Sequence, residues 1–98
     1  MAKARPPNAE ENRFWHKVRD LGCIICGSPH PMRHHCGTGA GGRKDHMFIL
    51  PLCWYHHQGP EGIDGRTSGF PISKRQWQER YGTEQELFDK MLEMLRMP

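Results

Sequence analysis

Two short motifs of metal-ligand residues constrain the fold of this chain more than any other feature of its sequence. Cys23-x-x-Cys26 and Cys53-x-x-His56 each place two donor side chains on one turn of the backbone. Together the motifs supply the four tetrahedral ligands of a structural zinc site, which neither motif completes alone. The sequence therefore predicts a fold in which the two motifs meet at one zinc ion, with buried free thiols as the alternative.

Two other interpretations of the cysteines stay open. Cys23 and Cys26 have the spacing of a thioredoxin-like redox pair, but such a pair needs a following helix in a βαβ unit, and Gly27-Ser28-Pro29 interrupts any helix. We therefore favour a zinc knuckle. Cys36 is a further thiol that could replace His56 as a zinc ligand, although we expect it to be a buried free thiol.

The length and composition of the chain limit it to one small domain. Its 98 residues bury little apolar surface, and a hydrophobic fraction of 36% is interrupted by 11 Gly and 8 Pro. A metal ion is a natural supplement to such a core. No apolar run approaches the roughly 18 residues that span a membrane, so we expect a cytosolic protein with reduced cysteines and no membrane partner. The net charge of +3 is compatible with a nucleic-acid partner.

Capping signals divide the start of the chain into an arm and a helix. Residues 1–7 are expected to be a disordered basic arm, and residues 8–98 a single domain. A helix is expected after Asn8, which has the spacing of a capping box with Glu11. Gly22 suits the left-handed C-terminal cap of that helix.

The core, residues 23–58, is predicted to be a β-hairpin followed by a short helix. Residues 32–36 and 47–50 have the composition of short strands, with Pro51 near the end of the second, and a glycine-rich loop connects them. The short helix begins at the second metal-ligand motif and ends at Gly59-Pro60.

Two further helices are expected in residues 73–96. Ser73 caps the first, which Gly82 ends, and Thr83 forms a capping box with Glu86 at the start of the second. The second helix carries an apolar stripe of Leu87, Phe88, Met91, Leu92 and Leu95, for which core packing is the default interpretation and a dimer face the alternative. The fold class is therefore α+β, a zinc-stabilised ββα core with flanking N-terminal and C-terminal helices.

Four histidines remain once the zinc site is complete. They are His34 and His35 on the first strand, His46 before the second strand, and His57 after the last zinc ligand. Adjacent residues of a strand point to opposite faces, so His34 and His35 are expected to have different roles.

These residues resemble a known family, the HNH or ββα-metal endonucleases with an embedded zinc knuckle. The resemblance is carried by His34-His35, the glycine-rich loop, His46 and the motif Leu-Cys-x-x-His-His at residues 52–57. More narrowly, the core is similar to phage and prophage nucleases of the recombination-enhancement type, which cut DNA in a RecA-dependent way. The resemblance covers residues 23–57 and extends to residues 81–87, where family members have similar sequence segments. It implies a treble-clef-like metal core.

The resemblance implies a role for each residue of its motif. His35 takes the place of the general base that activates water, and His46 stands where the family usually has an Asn that orients the base. His34 and His57 take the places of ligands to a catalytic divalent ion. Asp64 is the expected further ligand.

The chemistry of phosphodiester hydrolysis agrees with these residue types. A neutral imidazole near pH 7 can accept the proton of water, and one divalent ion with open positions can assist the phosphate and the leaving group. Imidazoles with at most one carboxylate accept Mg²⁺, Mn²⁺, Ni²⁺ or Zn²⁺. Arg33, Arg43 and Lys44 flank the site and could contact phosphates, or they could be ordinary solvated charges.

We therefore predict a phage or prophage DNA endonuclease of the host bacterial cytoplasm with a one-metal mechanism. Its expected partner is DNA, with a host recombinase filament as a further candidate. The alternative is a treble-clef-like zinc module that binds DNA or a protein without cutting, which would leave His34, His35 and His57 without a function. A zinc-held phage structural protein is a third option, which the mixed-charge composition disfavours.

Overall fold

The protein has an α+β fold in which a two-stranded sheet packs against helices from both ends of the chain. A computed structural model describes residues 6–37, 46–63 and 73–96. Within these residues the elements are, in chain order, α1 (Ala9–Asp20), β1 (Met32–His35), β2 (Ile49–Leu52), α2 (Trp54–His57), α3 (Lys74–Tyr81) and α4 (Glu84–Arg96). The α+β class predicted from the sequence is confirmed.

Strands β1 and β2 form an antiparallel pair at the centre of the fold. Their register places His34 opposite Leu50 and Arg33 opposite Pro51. All four residues of β2 are buried, and both α1 and α4 contact this strand. Strand β2 therefore belongs to the core, while β1 carries the polar side chains.

The position of β2 differs from the prediction. The sequence predicts a strand over residues 47–50, whereas the observed strand is Ile49–Leu52 and includes Pro51. The carbonyl of Pro51 accepts a hydrogen bond from the N–H of Ile24 at 2.9 Å, so this carbonyl points away from β1. In an antiparallel pair, the nitrogen and the carbonyl of one residue point to the same side. The nitrogen of Pro51 therefore also points away from β1, and the missing N–H removes no hydrogen bond between the strands.

Helix α1 begins and ends at the residues predicted from the sequence. The side chain of Asn8 accepts from the N–H of Glu11 at 2.8 Å, and the side chain of Glu11 accepts from the N–H of Asn8 at 2.9 Å. This is the expected capping box. Gly22 has a φ of 78°, and a Cβ added there would lie 2.8 Å from the carbonyl oxygen of Gly27. Only glycine therefore lets the chain pass directly from α1 into the first cysteine motif.

Helices α3 and α4 also begin at their predicted caps. The hydroxyl of Ser73 accepts from the N–H of Gln76 at 3.1 Å, and Gly82 follows the last turn of α3. The hydroxyl of Thr83 accepts from the N–H of Glu86 at 3.1 Å, and the Glu86 carboxylate accepts from the N–H of Thr83 at 3.0 Å. The two helices are thus separated by a tight corner of two residues.

The apolar core lies between β2 and the helices. The indole N–H of Trp77, which is fully buried, donates to the carbonyl oxygen of Glu61 at 2.9 Å and ties α3 to the turn after α2. The stripe of α4 packs into this core, as the default interpretation predicted. The buried apolar residues of the core include Val18, Ile24, Leu50, Leu52, Trp77, Leu87 and Met91.

Some predictions fall on residues that the structure does not describe. Most of the basic arm, the glycine-rich loop after Gly37 and the loop over residues 64–72 lie outside the described ranges. Among the helices of residues 6–37, 46–63 and 73–96, none has the length and apolar character needed to cross a membrane.

Candidate functional site

The first cysteine motif forms a tight turn fastened to the sheet. The N–H of Gly27 donates to the carbonyl of Cys23 at 2.7 Å, and Gly27 has a φ of 74°, a conformation that glycine adopts without strain. The hydrogen bond from Ile24 to Pro51 joins this turn to β2. The backbone therefore places the first two thiols beside the end of β2, where the second motif begins.

The four predicted zinc ligands come together in one cluster. The donor atoms of Cys23, Cys26, Cys53 and His56 all lie within 4.8 Å of one another. The sulfurs of Cys26 and Cys53 are 3.7 Å apart. Nδ1 of His56 lies 3.3 Å from the sulfur of Cys53 and 3.9 Å from that of Cys23.

These distances agree with a tetrahedral shell. Zinc bonds of about 2.3 Å to sulfur and about 2.0 Å to nitrogen place two ligand sulfurs about 3.8 Å apart, and a sulfur and a nitrogen about 3.5 Å apart. The cluster is therefore a potential metal-binding site whose donors and spacing are consistent with zinc.

The surroundings of the cluster set the protonation of its donors. Burial lowers the pKa of His56, which keeps its imidazole neutral and able to act as a ligand. A hydrogen bond with the Ser28 hydroxyl, at 3.0 Å, lowers the pKa of the Cys26 thiol. Burial raises the pKa of Cys53, so this thiol needs a bound cation to become a thiolate.

Helix α2 directs its two histidines into different surroundings. Both rings are buried, but successive residues of a helix are about 100° apart around its axis, so His57 turns away from the thiols. Nδ1 of His57 lies 3.4 Å from the sulfur of Met32, and its ring centroid lies 5.1 Å from that of His34. His57 therefore meets β1, and His56 meets the cysteines.

The ring of His34 is buried against the first residue of α4. Nε2 of His34 lies 2.7 Å from Oε2 of Glu84. The other carboxylate oxygen, Oε1, accepts from Nζ of Lys74 at 2.8 Å and from the N–H of Gly37 at 3.3 Å. Burial alone would raise the pKa of Glu84, but the hydrogen bonds from His34, Lys74 and Gly37 outweigh it and lower the pKa to about 2. Glu84 is therefore ionised at neutral pH.

Cys36 lies beside Glu84 and not in the zinc-type cluster. Its thiol is free and buried, and its donor atom is grouped with those of His34 and Glu84. Burial raises the pKa of this thiol, and the negative charge of Glu84 raises it further. Cys36 is therefore a protonated thiol at neutral pH, and His56 keeps its place among the four clustered donors.

His35 and His46 form a separate pair. Nε2 of His35 lies 3.0 Å from Nδ1 of His46, with the ring centroids 5.0 Å apart. His46 is buried just before β2. One ring must donate and the other accept, so the accepting nitrogen carries no proton.

The turn after α2 packs directly on the helix that carries the histidines. A Cβ added at Gly62 would lie 2.6 Å from the carbonyl carbon and oxygen of His57. The N–H of Ile63 donates to the carbonyl of His56 at 3.0 Å. The close approach at Gly62 therefore fixes where α2 ends.

Comparison with known protein families decides what kind of protein carries this site. Residues 7–96 match the family described as recombination enhancement, RecA-dependent nuclease. This chain belongs to the RecA-dependent nuclease family. The match spans every described element from α1 to α4, and the family description indicates a nuclease, an enzyme that acts on DNA. A search of curated proteins found no match.

In this RecA-dependent nuclease, the structure brings together most of the residues singled out from the sequence. His34 meets His57, and His35 meets His46. Asp64, the expected further ligand, lies outside the described residues, as do Arg43 and Lys44.

Arg33 is held by α1. Its guanidinium stacks over the ring of Trp15, 5.1 Å from the ring centroid, and donates to Oδ1 of Asn12 at 3.2 Å. Burial lowers the pKa of Arg33, although an arginine remains charged at neutral pH. The stack on Trp15 therefore fixes the direction in which the guanidinium of Arg33 extends from β1.

Sequence reasoning missed Glu84 in this nuclease. An acidic residue in the first turn of a helix predicts only a favourable interaction with the helix dipole. Glu84 is 50 positions from His34, and no local pattern relates the two. The signal that could have found it is the resemblance of residues 81–87 to other family members.

Proposed function

We propose that the chain is an HNH-type DNA endonuclease of phage or prophage origin, a metal-dependent phosphodiester hydrolase that acts in recombination. The supporting observation is the approach of His34 and His57 to a ring separation of 5.1 Å, together with the separate hydrogen-bonded pair of His35 and His46. The order β1, β2, α2 is that of the ββα-metal core, in which a strand and a helix share one divalent ion.

The donors at the proposed active centre fit a divalent ion. His34 and His57 are buried imidazoles close enough for one nitrogen of each ring to reach a common ion. Asp64 is the proposed further ligand. Such an ion, which could be Mg²⁺, Mn²⁺, Ni²⁺ or Zn²⁺, would stabilise the charge that develops on the phosphate and on the leaving 3′-oxygen.

His35 is the proposed general base. It takes the proton of the attacking water, a task for which an imidazole side chain is suited near neutral pH. The hydrogen bond to His46 holds the His35 ring in one orientation. His46 thus does the work that the Asn of the HNH pattern does in other members.

The cluster of Cys23, Cys26, Cys53 and His56 is proposed to hold a structural zinc ion. Four protein donors close a tetrahedral shell and leave no position for a substrate. This closed shell distinguishes the zinc-type cluster from the proposed active centre, where fewer protein donors converge.

Basic residues and the family name indicate how DNA would be engaged. Arg33, directed by its stack on Trp15, is proposed to contact phosphates together with Arg43 and Lys44. The family is RecA-dependent, so we propose that the DNA substrate is presented by a recombinase filament.

A non-catalytic zinc module that binds DNA or a protein is the second candidate. It is favoured by Trp54 and Tyr55, which α2 exposes beside the zinc-type cluster with 54% and 46% of their surfaces accessible. It gives no account of the two histidine pairs, and we therefore prefer the nuclease.

Nicking of supercoiled plasmid tests the proposal. The purified protein is assayed with each of Mg²⁺, Mn²⁺, Ni²⁺ and Zn²⁺, with and without a recombinase filament. His35→Ala should lower the rate by about 10²–10⁴-fold, while His16→Ala, at an exposed histidine of α1, should leave it unchanged. If the unaltered protein cuts under none of these conditions, the binding module becomes the better explanation.

A further inference from the structure

We infer that Glu84 is a positioning residue for the proposed active centre: its carboxylate holds the Nε2–H of His34 and thereby presents Nδ1 of His34 to the divalent ion. Glu84 has this role only if His34 is a ligand, so the assignment rests on the proposed function. It adds to that function a residue from α4, an element outside the ββα core.

The carboxylate of Glu84 has a single orientation. Both side chains of the His34–Glu84 pair are buried, with about a tenth of each accessible. Lys74 and the N–H of Gly37 occupy Oε1, which leaves Oε2 to His34. The two oxygens therefore have different partners, and His34 cannot lose its acceptor by a rotation of the carboxylate without breaking both other bonds.

The hydrogen bond determines which nitrogen of His34 can bind a metal ion. A carboxylate that accepts from an ammonium and a backbone N–H is ionised and can only accept hydrogen bonds. Nε2 of His34 must therefore carry a proton, and the nitrogen left to bind a metal ion is Nδ1. Metal-binding histidines almost always donate their other N–H in this way, and loss of the acceptor typically costs 10–100-fold in metal affinity.

The backbone at Glu84 is fixed independently of His34. Its N–H donates to Oε1 of Gln78 on α3 at 3.1 Å, and the capping box of Thr83 and Glu86 surrounds it. The corner between α3 and α4 thus sets the place of the carboxylate, and the carboxylate sets the place of the His34 ring.

Glu84 could instead be a metal ligand, because its oxygen is grouped with donor atoms of His34 and Cys36. The ammonium of Lys74, 2.8 Å from the same carboxylate, argues against this role. A cation bound between His34 and Glu84 would be repelled by that ammonium at close range. The contact of 2.7 Å between Nε2 and Oε2 is that of a charge-assisted hydrogen bond.

Titration of the full-length, zinc-loaded protein with Ni²⁺ tests the assignment. Glu84→Gln should weaken Ni²⁺ binding about 10–100-fold. Glu86→Gln is the matched control, because it removes the same charge from the same turn of α4 and a glutamine can complete the capping box. It should bind Ni²⁺ like the unaltered protein. Zinc content and the melting temperature are measured for each variant.

A spectroscopic measurement on the unaltered protein does not depend on how the variants fold. Long-range ¹⁵N–¹H correlation of the imidazoles, recorded before Ni²⁺ is added, should show His34 with its proton on Nε2. A proton on Nδ1 would overturn the assignment.

His34→Ala separates failure of the assignment from failure of the proposed function. If His34→Ala binds Ni²⁺ normally, His34 is not a ligand and the proposed active centre is wrong. If His34→Ala abolishes binding while Glu84→Gln binds normally, only the role of Glu84 is wrong. Equal losses of Ni²⁺ affinity in Glu84→Gln and Glu86→Gln would mean that the effect comes from the charge of α4 in general. That result would also overturn the role assigned to Glu84.

Discussion

His56 and His57 are adjacent in α2, yet their side chains belong to different clusters. Nδ1 of His56 lies 3.3 Å from the sulfur of Cys53, and Nδ1 of His57 lies 3.4 Å from the sulfur of Met32. A single helical turn therefore connects the zinc-type cluster to the proposed active centre. A change that displaces α2 should affect both.

Cys26→Ser is expected to unfold the domain. Removal of one ligand forfeits the binding free energy that zinc contributes to folding, and a core of this size has no reserve to replace it. Zinc content should fall from near one ion per chain, and the cooperative thermal transition should disappear. Cys36→Ser is the matched control, because Cys36 lies outside the four-donor cluster. It should retain the zinc. A Cys26→Ser protein that melts like the unaltered one would show that the cluster holds no structural metal.

Gly62→Ala is expected to destabilise the protein far more than Gly27→Ala. The new methyl group at position 62 would lie 2.6 Å from backbone atoms of His57, which cannot move aside without shifting α2. Overpacking of this kind costs about 3 kcal/mol. Gly27 has open space around its Cβ position, so only its φ of 74° opposes alanine, at about 1 kcal/mol. Urea denaturation of both variants measures the difference, and equal losses would contradict the close packing at Gly62.

Arg33→Met is expected to weaken binding to duplex DNA of any sequence and to lower the slope of log K against log salt by about one. It should also cost about 1 kcal/mol of stability through the lost stack on Trp15. Arg75→Met removes an exposed arginine that pairs with Glu79 and serves as the control. Fluorescence anisotropy over a range of salt concentrations measures both. If Arg33→Met leaves the salt slope unchanged, Arg33 does not contact phosphates and serves only to anchor β1 to α1.

Stepwise chelation is expected to separate the two proposed metal sites. The proposed centre at His34 and His57 would have open coordination positions and should lose its ion at low chelator concentration, with loss of nicking but no change in the circular dichroism spectrum. The closed four-donor cluster should lose zinc only at higher concentration, and the fold with it. Simultaneous loss of nicking and of structure at every chelator concentration would contradict two separate sites.

Local signals in the sequence were sufficient to predict most of the elements. The helix caps at Asn8, Ser73 and Thr83 were each predicted from the sequence, because their hydrogen bonds join residues only three positions apart. Spacing was also sufficient for the two metal-ligand motifs, because each places its donors on one turn. The meeting of the motifs followed from the need to complete one shell.

Contacts between distant residues could not be predicted in this way. The strand boundary at Pro51 depends on a hydrogen bond from Ile24, a partner that only the folded chain supplies. The contact of Glu84 with His34 likewise depends on how α4 packs across the sheet. The approach of His34 to His57 was expected from the family resemblance and not from the spacing of the residues.

The short length of α2 affects the order in which a newly made chain closes the four-donor cluster and gains activity. A helix of four residues has no stability of its own, so α2 exists only where its neighbours hold it. The same four residues carry the last donor of the zinc-type cluster, His56, and the proposed ligand of the active centre, His57. Whatever immobilises His56 therefore immobilises His57 as well, and a newly made chain should gain the capacity to cut only after the four-donor cluster has closed.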